Sequence, residues 1–355
     1  MNQESLDLDP RPAASAAAAA PASTGFALGW DHARHGLAPP PDLLADAGPV
    51  AQGWHAGRSL SERRATAARA IRRWLEYRTT AWRQAVPVDL DRLTPYALQR
   101  LERSRCPVTR APLGGRPGTA YAPVFVRLDD GAPAAPGNLV QASGRAAAAL
   151  AALAAEPRAG TPMPASLAAH ALARARRIDA GIDAAWPGLT VAECWRLASL
   201  LATVAPIGFA DAARTPLRLL PPACVEPACA VWRLQHRVTQ AFAEAPWSLR
   251  VRVLGESLAA ADRRHDFHLF IGAYAPRLLE AGAHPDRATL ARVLEDAWAD
   301  ARVQRRWTRF VLALGEPALL AWLGRIEGVS TPRPTPAPRR SAVTPANAAT
   351  LRAAA

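Results

Sequence analysis

The sequence contains no lysine; all 43 of its basic residues are arginine. That absence excludes the phosphate-binding loops whose chemistry depends on a lysine ammonium. Cysteine is scarce, with four in 355 residues, too few for a disulfide framework and in keeping with a reducing cytoplasm. No apolar run approaches the roughly 20 residues that span a bilayer, so no membrane helix is expected. Sequences of the form G-x-S-x-G, H-E-x-x-H and G-x-G-x-x-G are also missing, which leaves hydrolase, zinc-protease and dinucleotide readings without a signature. The opening MNQESLDLDPRPAASAAAAAPAST is acidic where a secretion signal is basic, and its alanine run is only weakly apolar. Residues 1–24 therefore read as a disordered tail, as do the Pro- and Thr-rich residues 330–355.

What is present is an ordinary globular composition, 50% hydrophobic and 21% charged. A length of 355 residues favours two domains. The net charge of +13 is unevenly spread: residues 51–150 hold sixteen arginines against seven acids, an excess of nine. Such a block is a modest electrostatic footprint for a polyanion. Arginine pairs bidentately with phosphate and stacks on bases. A GC-rich genome also replaces lysine by arginine and enriches alanine, and the Ala-rich ends favour that explanation, so the arginine identity itself carries no weight.

Residues 25–58 are rich in Gly, Pro and Trp without helical periodicity and are expected as ordered irregular structure. A helix is predicted over about 60–85, capped by Ser59 or Ser61, with Leu60, Ala67, Ile71, Trp74, Leu75 and Trp82 in one stripe. Arg69, Arg72, Arg73 and Arg83 fall on its other side, open either to phosphates or to salt bridges such as Arg72 with Glu76. Thr94-Pro95 opens a second helix ending near Arg103. A strand is predicted at Val124–Leu128, a helix over 143–155 and a linker over 157–164. Helices over about 165–185, 191–205, 226–244, 247–262, 265–281, 287–313 and 316–326 then form a bundle. Thr190 and Glu193 make a capping box for one of them. The fold class is mainly α: an α+β domain over 25–156 followed by an α-helical domain over 165–329.

The candidate site lies in 106–149. Its order is Cys106-Pro-Val-Thr109, Leu113, a strand, Arg127-Leu-Asp-Asp130, Gly137-Asn138-Leu139 and a helix. This order resembles a divergent HNH-type, ββα-metal nuclease motif. A group of proteobacterial proteins carries a fuller version, and their GWD…PP…PV..GW.AGR opening resembles Trp30 to Arg58 here. The resemblance implies structural roles for Cys106, Thr109 and Asn138, the asparagine tethering the loop. It also implies a base or metal ligand at the end of the first strand and further ligands on the helix, where this chain has Val126, Ala147 and Leu150. Those side chains neither accept a proton nor hold Mg²⁺, which needs oxygen ligands. The implied protein is a catalytically dead member, with no catalytic residue, metal or cofactor expected.

Asp129 and Asp130 alternate in direction if extended, which argues for a solvated turn against a shared metal. Cys106 lacks the second CxxC of a zinc site, and Cys224 with Cys229, His265 with His268, and His32 with His35 have no further ligands nearby. Trp307 and Phe310 mix with arginines as in single-strand binders, but at helical spacing they suit a core face. The preferred expectation is a non-catalytic DNA- or RNA-binding protein whose phosphate contacts come from Arg69, Arg72, Arg73, Arg83, Arg110, Arg116 and Arg127. The alternatives are a helical protein-interaction scaffold, with partners docking on the helical domain, and an active nuclease using Asp129 and Asp130.

Overall fold

The structure, a computed structural model, describes residues 14–45, 47–60, 67–156, 166–282 and 285–328. The tail residues 1–13 and 330–355 and the expected linker 157–164 lie outside the described residues. Among those described, the chain forms fifteen helices and one two-stranded sheet, a mainly helical fold.

Three helices occupy the region expected to be irregular: α1 (Ala14–Arg34), α2 (Pro41–Ala45) and α3 (Pro49–Leu60). The expected tail is corrected too, since Ala14–Thr24 are the first turns of α1. The reason is a backbone-to-backbone contact that periodicity does not register. Gly25 and Gly29 on α1, and Gly53 and Gly57 on α3, stand four apart and so share a face on each helix. A Cβ on Gly29 would lie 1.9 Å from the Val50 carbonyl oxygen, and one on Gly53 would lie 2.0 Å from that of Phe26. Each glycine costs its helix about 1 kcal/mol in propensity, offset by an approach that no side chain permits.

The next helix, α4 (Arg69–Arg83), starts later than the sequence suggests; Ser59 belongs to α3, and Ser61 is outside the described residues. Its inner face buries Trp74 and Leu75, and the Trp74 Nε1–H donates to the Leu93 carbonyl at 2.6 Å. Arg78 lies 4.3 Å over the Trp74 ring and pairs with Asp31 of α1 at 2.5 Å. Helix α5 (Pro95–Leu101) opens on Thr94, whose side chain accepts from the Ala97 N–H. Strand β1 (Pro123–Arg127) then pairs antiparallel with β2 (Leu139–Ser143), Val126 opposite Val140. Ser143 caps α6 (Gly144–Ala155) by accepting from the Ala146 N–H.

The second half holds α7 (Leu167–Asp179), α8 (Val191–Ala202), α9 (Phe209–Arg214), α10 (Ala230–Ala243), α11 (Trp247–Glu256) and α12 (Ala261–Leu279). The Thr190–Glu193 capping box forms at the start of α8. The single helix expected over 287–313 is two, α13 (Arg287–Ala297) and α14 (Ala301–Leu314), because Asp300 accepts from the Arg302 and Val303 N–H groups and restarts the helix. Helix α15 (Glu316–Gly328) follows. Phe267, Phe270, Trp298, Trp307, Phe310 and Trp322 interlock at the centre, with Trp307 stacked edge-on at 5.1 Å from Trp298. Core packing is therefore the role of Trp307 and Phe310.

Two apolar clusters result among the described residues, and they meet at the hairpin. Leu139 packs with Leu28, Trp74, Leu75 and Leu98. Its neighbours Val140 and Ala142 pack with Cys106, Ala146, Leu153 and the helices of the second half. Successive strand residues face opposite sides, which lets one short strand serve both cores. No helix among the described residues is long and apolar enough to cross a membrane.

Candidate functional site

The hairpin and α6 form a strand–strand–helix unit, with the loop 128–138 closing its open end. Asn138 holds that loop. Its Oδ1 accepts from the Asp129 N–H at 2.8 Å, and its Nδ2 donates to the carbonyls of Asp129, Ala132 and Pro133 at 3.0, 3.2 and 3.1 Å. Gly137, at φ 100°, turns the chain into β2 in a conformation that favours glycine. Asp129 and Asp130 are exposed on this loop; the Asp129 carboxylate accepts from the Gly131 N–H, and Asp130 pairs with Arg127 at 3.6 Å. They make the solvated turn expected of them.

Cys106 and Thr109 close a second loop against the start of α6. The Thr109 N–H points to the Cys106 Sγ at 3.4 Å, and the Thr109 and Ser143 hydroxyls stand 3.5 Å apart. Burial pushes the Cys106 thiol up, but hydrogen bonds from Ser143 and Thr109 outweigh it and hold the thiol below its usual value. The thiol is thus satisfied by hydroxyl and backbone donors, and it is 1% exposed.

Between α4, β1 and α6 lies a groove of about 680 Å³. Val126, Ala147 and Leu150 all line it, together with Tyr77, Phe125, Arg73 and Arg127. Tyr77 and Phe125 meet edge to face at 5.7 Å. Burial pushes the Tyr77 hydroxyl up to about 12, so it stays a neutral donor at neutral pH. Glu76 and Asp130 supply the groove's carboxylates, from opposite elements. Metal-assisted hydrolysis needs convergent oxygen or nitrogen ligands and an activated water. Among the described residues, no three His, Cys, Asp or Glu side chains are grouped to hold a metal ion. What the groove offers instead is an apolar and aromatic floor with two guanidinium groups.

The expected phosphate-facing arginines divide sharply. Arg69 and Arg73 both reach Glu102, at 3.9 and 3.5 Å, and the expected i,i+4 ion pair of Arg72 with Glu76 does not form. Arg83 pairs with Asp42 of α2. Arg127 donates to the Asp130 and Ala132 carbonyls besides its ion pair. Arg110 is turned away from solvent: it meets Asp296 at 2.7 and 2.9 Å and Glu295 at 2.8 Å, both on α13. Its expected place among phosphate contacts is occupied by those carboxylates. Arg72 and Arg116 are exposed and, among the described residues, have no carboxylate within ion-pair distance. The sequence offers no separate signal for Tyr77 or Phe125: Tyr77 follows Trp74 at helical spacing on α4, and Phe125 lies within an apolar strand.

Compared with known protein families, curated proteins and solved structures, the chain has no match.

Proposed function

We propose that this is a non-catalytic nucleic-acid-binding protein, related in design to the ββα nucleases, whose groove takes a single strand of DNA or RNA. The observation that carries the reading is one groove that gathers Val126, Ala147 and Leu150 with Tyr77, Phe125, Arg73 and Arg127. The positions where the resemblance implies ligands hold aliphatic groups, so water activation is lost while a binding surface remains. Aromatic rings beside arginines suit unstacked bases and a phosphate backbone, each stacked base contributing about 1–3 kcal/mol. Arg72 and Arg116, without a carboxylate within ion-pair distance among the described residues, add cations outside the groove.

The test is fluorescence anisotropy of the full chain with labelled single-stranded DNA, RNA and duplex across a salt series. The full chain is required because the hairpin and α6 draw their packing from the second half. Arg72 and Arg116 have no carboxylate within ion-pair distance among the described residues, while Arg73 and Arg127 must leave theirs to meet phosphate, so two to four contacts predict a log–log salt slope between about −1.4 and −2.8 for a single strand. The label should stay intact in Mg²⁺. Absence of binding at low salt removes this reading.

A second reading, a helical protein-interaction module, is favoured by the pairing of Arg69, Arg73, Arg83, Arg110 and Arg127 with carboxylates. Neutralised cations around an apolar floor suit a polypeptide better than a polyanion. Stable self-association or capture of a helical partner, with indifference to nucleic acid, would select it.

A further inference from the structure

A second concentration of arginine lies far along the chain, in the helical half. Arg176 and Asp179 on α7, Trp195 on α8, Arg214 at the end of α9, Arg218 just beyond it and Gln304 on α14 line a pocket of about 340 Å³. Three cations face one carboxylate. Asp179 is taken by Arg218 at 3.2 Å. Among the described residues neither Arg176 nor Arg214 has a carboxylate within ion-pair distance; Arg176 donates to the neutral Thr215 hydroxyl. Two positive charges are therefore left over in a concave site.

The third cation is built in. The Arg218 guanidinium lies 3.9 Å over the Trp195 ring, and its backbone N–H donates to the Ser199 hydroxyl at 3.0 Å. Burial presses Arg218 below its ordinary pKa despite Asp179. Trp195 is 5% exposed, and its Nε1–H is buried without an acceptor among the described residues.

We propose that this pocket binds the phosphate of a small phosphomonoester, with Arg176 and Arg214 meeting its oxygens and Arg218 held as a third cation on the wall. Guanidinium forks match phosphate geometry. An excess of two charges matches a dianion, which a phosphomonoester carries near neutral pH and a phosphodiester does not. The volume sits at the small end for ligand pockets, suiting a compact molecule and excluding a dinucleotide. The site is independent of the groove on the hairpin.

The test is calorimetric titration of the full chain at fixed ionic strength with phenyl phosphate, inorganic phosphate and dimethyl phosphate. Phenyl phosphate and inorganic phosphate are expected to saturate at one site, and the monoanionic diester to bind at least about tenfold more weakly. Arg176→Ala and Arg214→Ala alter exposed side chains and should keep the far-ultraviolet dichroism of the parent while each lowers affinity about tenfold. Arg250→Ala, outside the pocket, should leave affinity unchanged. No saturable binding at millimolar phosphate, equal binding of the diester, or affinity untouched by both pocket variants would overturn the assignment.

Discussion

Replacing Arg110 tests whether the loop that carries Cys106 and Thr109 is anchored to the helical half. Its guanidinium makes three hydrogen bonds to Asp296 and Glu295. Glu295 is the inner partner, and it also accepts from the Leu220 N–H at 3.0 Å. Burial raises the Glu295 pKa, while Arg110 is the strongest influence pulling it back. Removing one partner of a buried pair costs about 3–5 kcal/mol. Arg110 is 22% exposed and Asp296 faces solvent, so Arg110→Ala is expected at the low end, about 3 kcal/mol.

Two controls sharpen the argument. Arg110 has φ 57°, a left-handed conformation that costs a side-chain-bearing residue about 1 kcal/mol. Arg110→Gly should therefore be less destabilising than Arg110→Ala by about that amount. The carboxylate supplies a pH signature. A Glu with a raised folded pKa contributes stability when protonated and loses it as pH rises through that pKa. Without Arg110 that pKa rises further, so the cost of Arg110→Ala should shrink as pH falls from 7 toward the ordinary 4.5. Urea unfolding, read from the midpoint at constant slope, measures all three. A loss below about 1 kcal/mol for Ala, or Gly no better than Ala, would refute the anchor.

Gly29→Ala and Gly53→Ala should each destabilise by about 3 kcal/mol or more, since the added carbon meets a carbonyl oxygen and not a movable side chain; thermal melts check this. Asn138→Ala removes four hydrogen bonds from the hairpin loop and should cost about 2–3 kcal/mol in urea, with Asn138→Asp keeping the bond from the Asp129 N–H. Burial, then Arg78, lowers the pKa of His32 from 6.5 to about 4. The unfolded chain then takes up a proton that the folded one refuses, so roughly 3 kcal/mol present above pH 6.5 is lost as pH falls to about 4. A His32→Gln variant should flatten that acid limb, and an unchanged limb would assign it to other groups. Incubation of labelled DNA with Mg²⁺ should yield no cleavage, by the parent or by Asp130→Ala.

Local signals were the legible ones. Thr94-Pro95 and Thr190 with Glu193 are start signals whose partners sit within three residues, and both form, whereas Ser59, expected as a cap, lies inside α3. The glycine pair joining α1 and α3 was illegible because each glycine lowers helix propensity locally, and its benefit comes from a helix some twenty residues away. Strand β2 is buried along its whole length, so Leu139–Ser143 shows no alternation to read. The break at Asp300 carried a cap signal that the continuous apolar stripe from Leu290 to Leu314 masked. In the site, Val126, Ala147 and Leu150 were named from the resemblance, and the structure brings them to one groove. Arg110 was misread because its carboxylates lie 185 and 186 residues further on. The pocket of Arg176, Arg214 and Arg218 was invisible for the same reason, its cations coming from separate segments.

The shared strand has a consequence for dissection of the chain. Leu139 belongs to one core while Val140 and Ala142 belong to the other, so a cut between residues 156 and 166 separates two polypeptides but not two folding units. The pieces would behave as an obligate heterodimer. Leu128, Val140, Ala146, Ala149 and Leu153 would supply one apolar face and Ala168, Leu172, Trp186 and Leu197 the other. Nicked protein should therefore co-elute as a single species and come apart only in denaturant, and the two pieces should recover their structure only when refolded together.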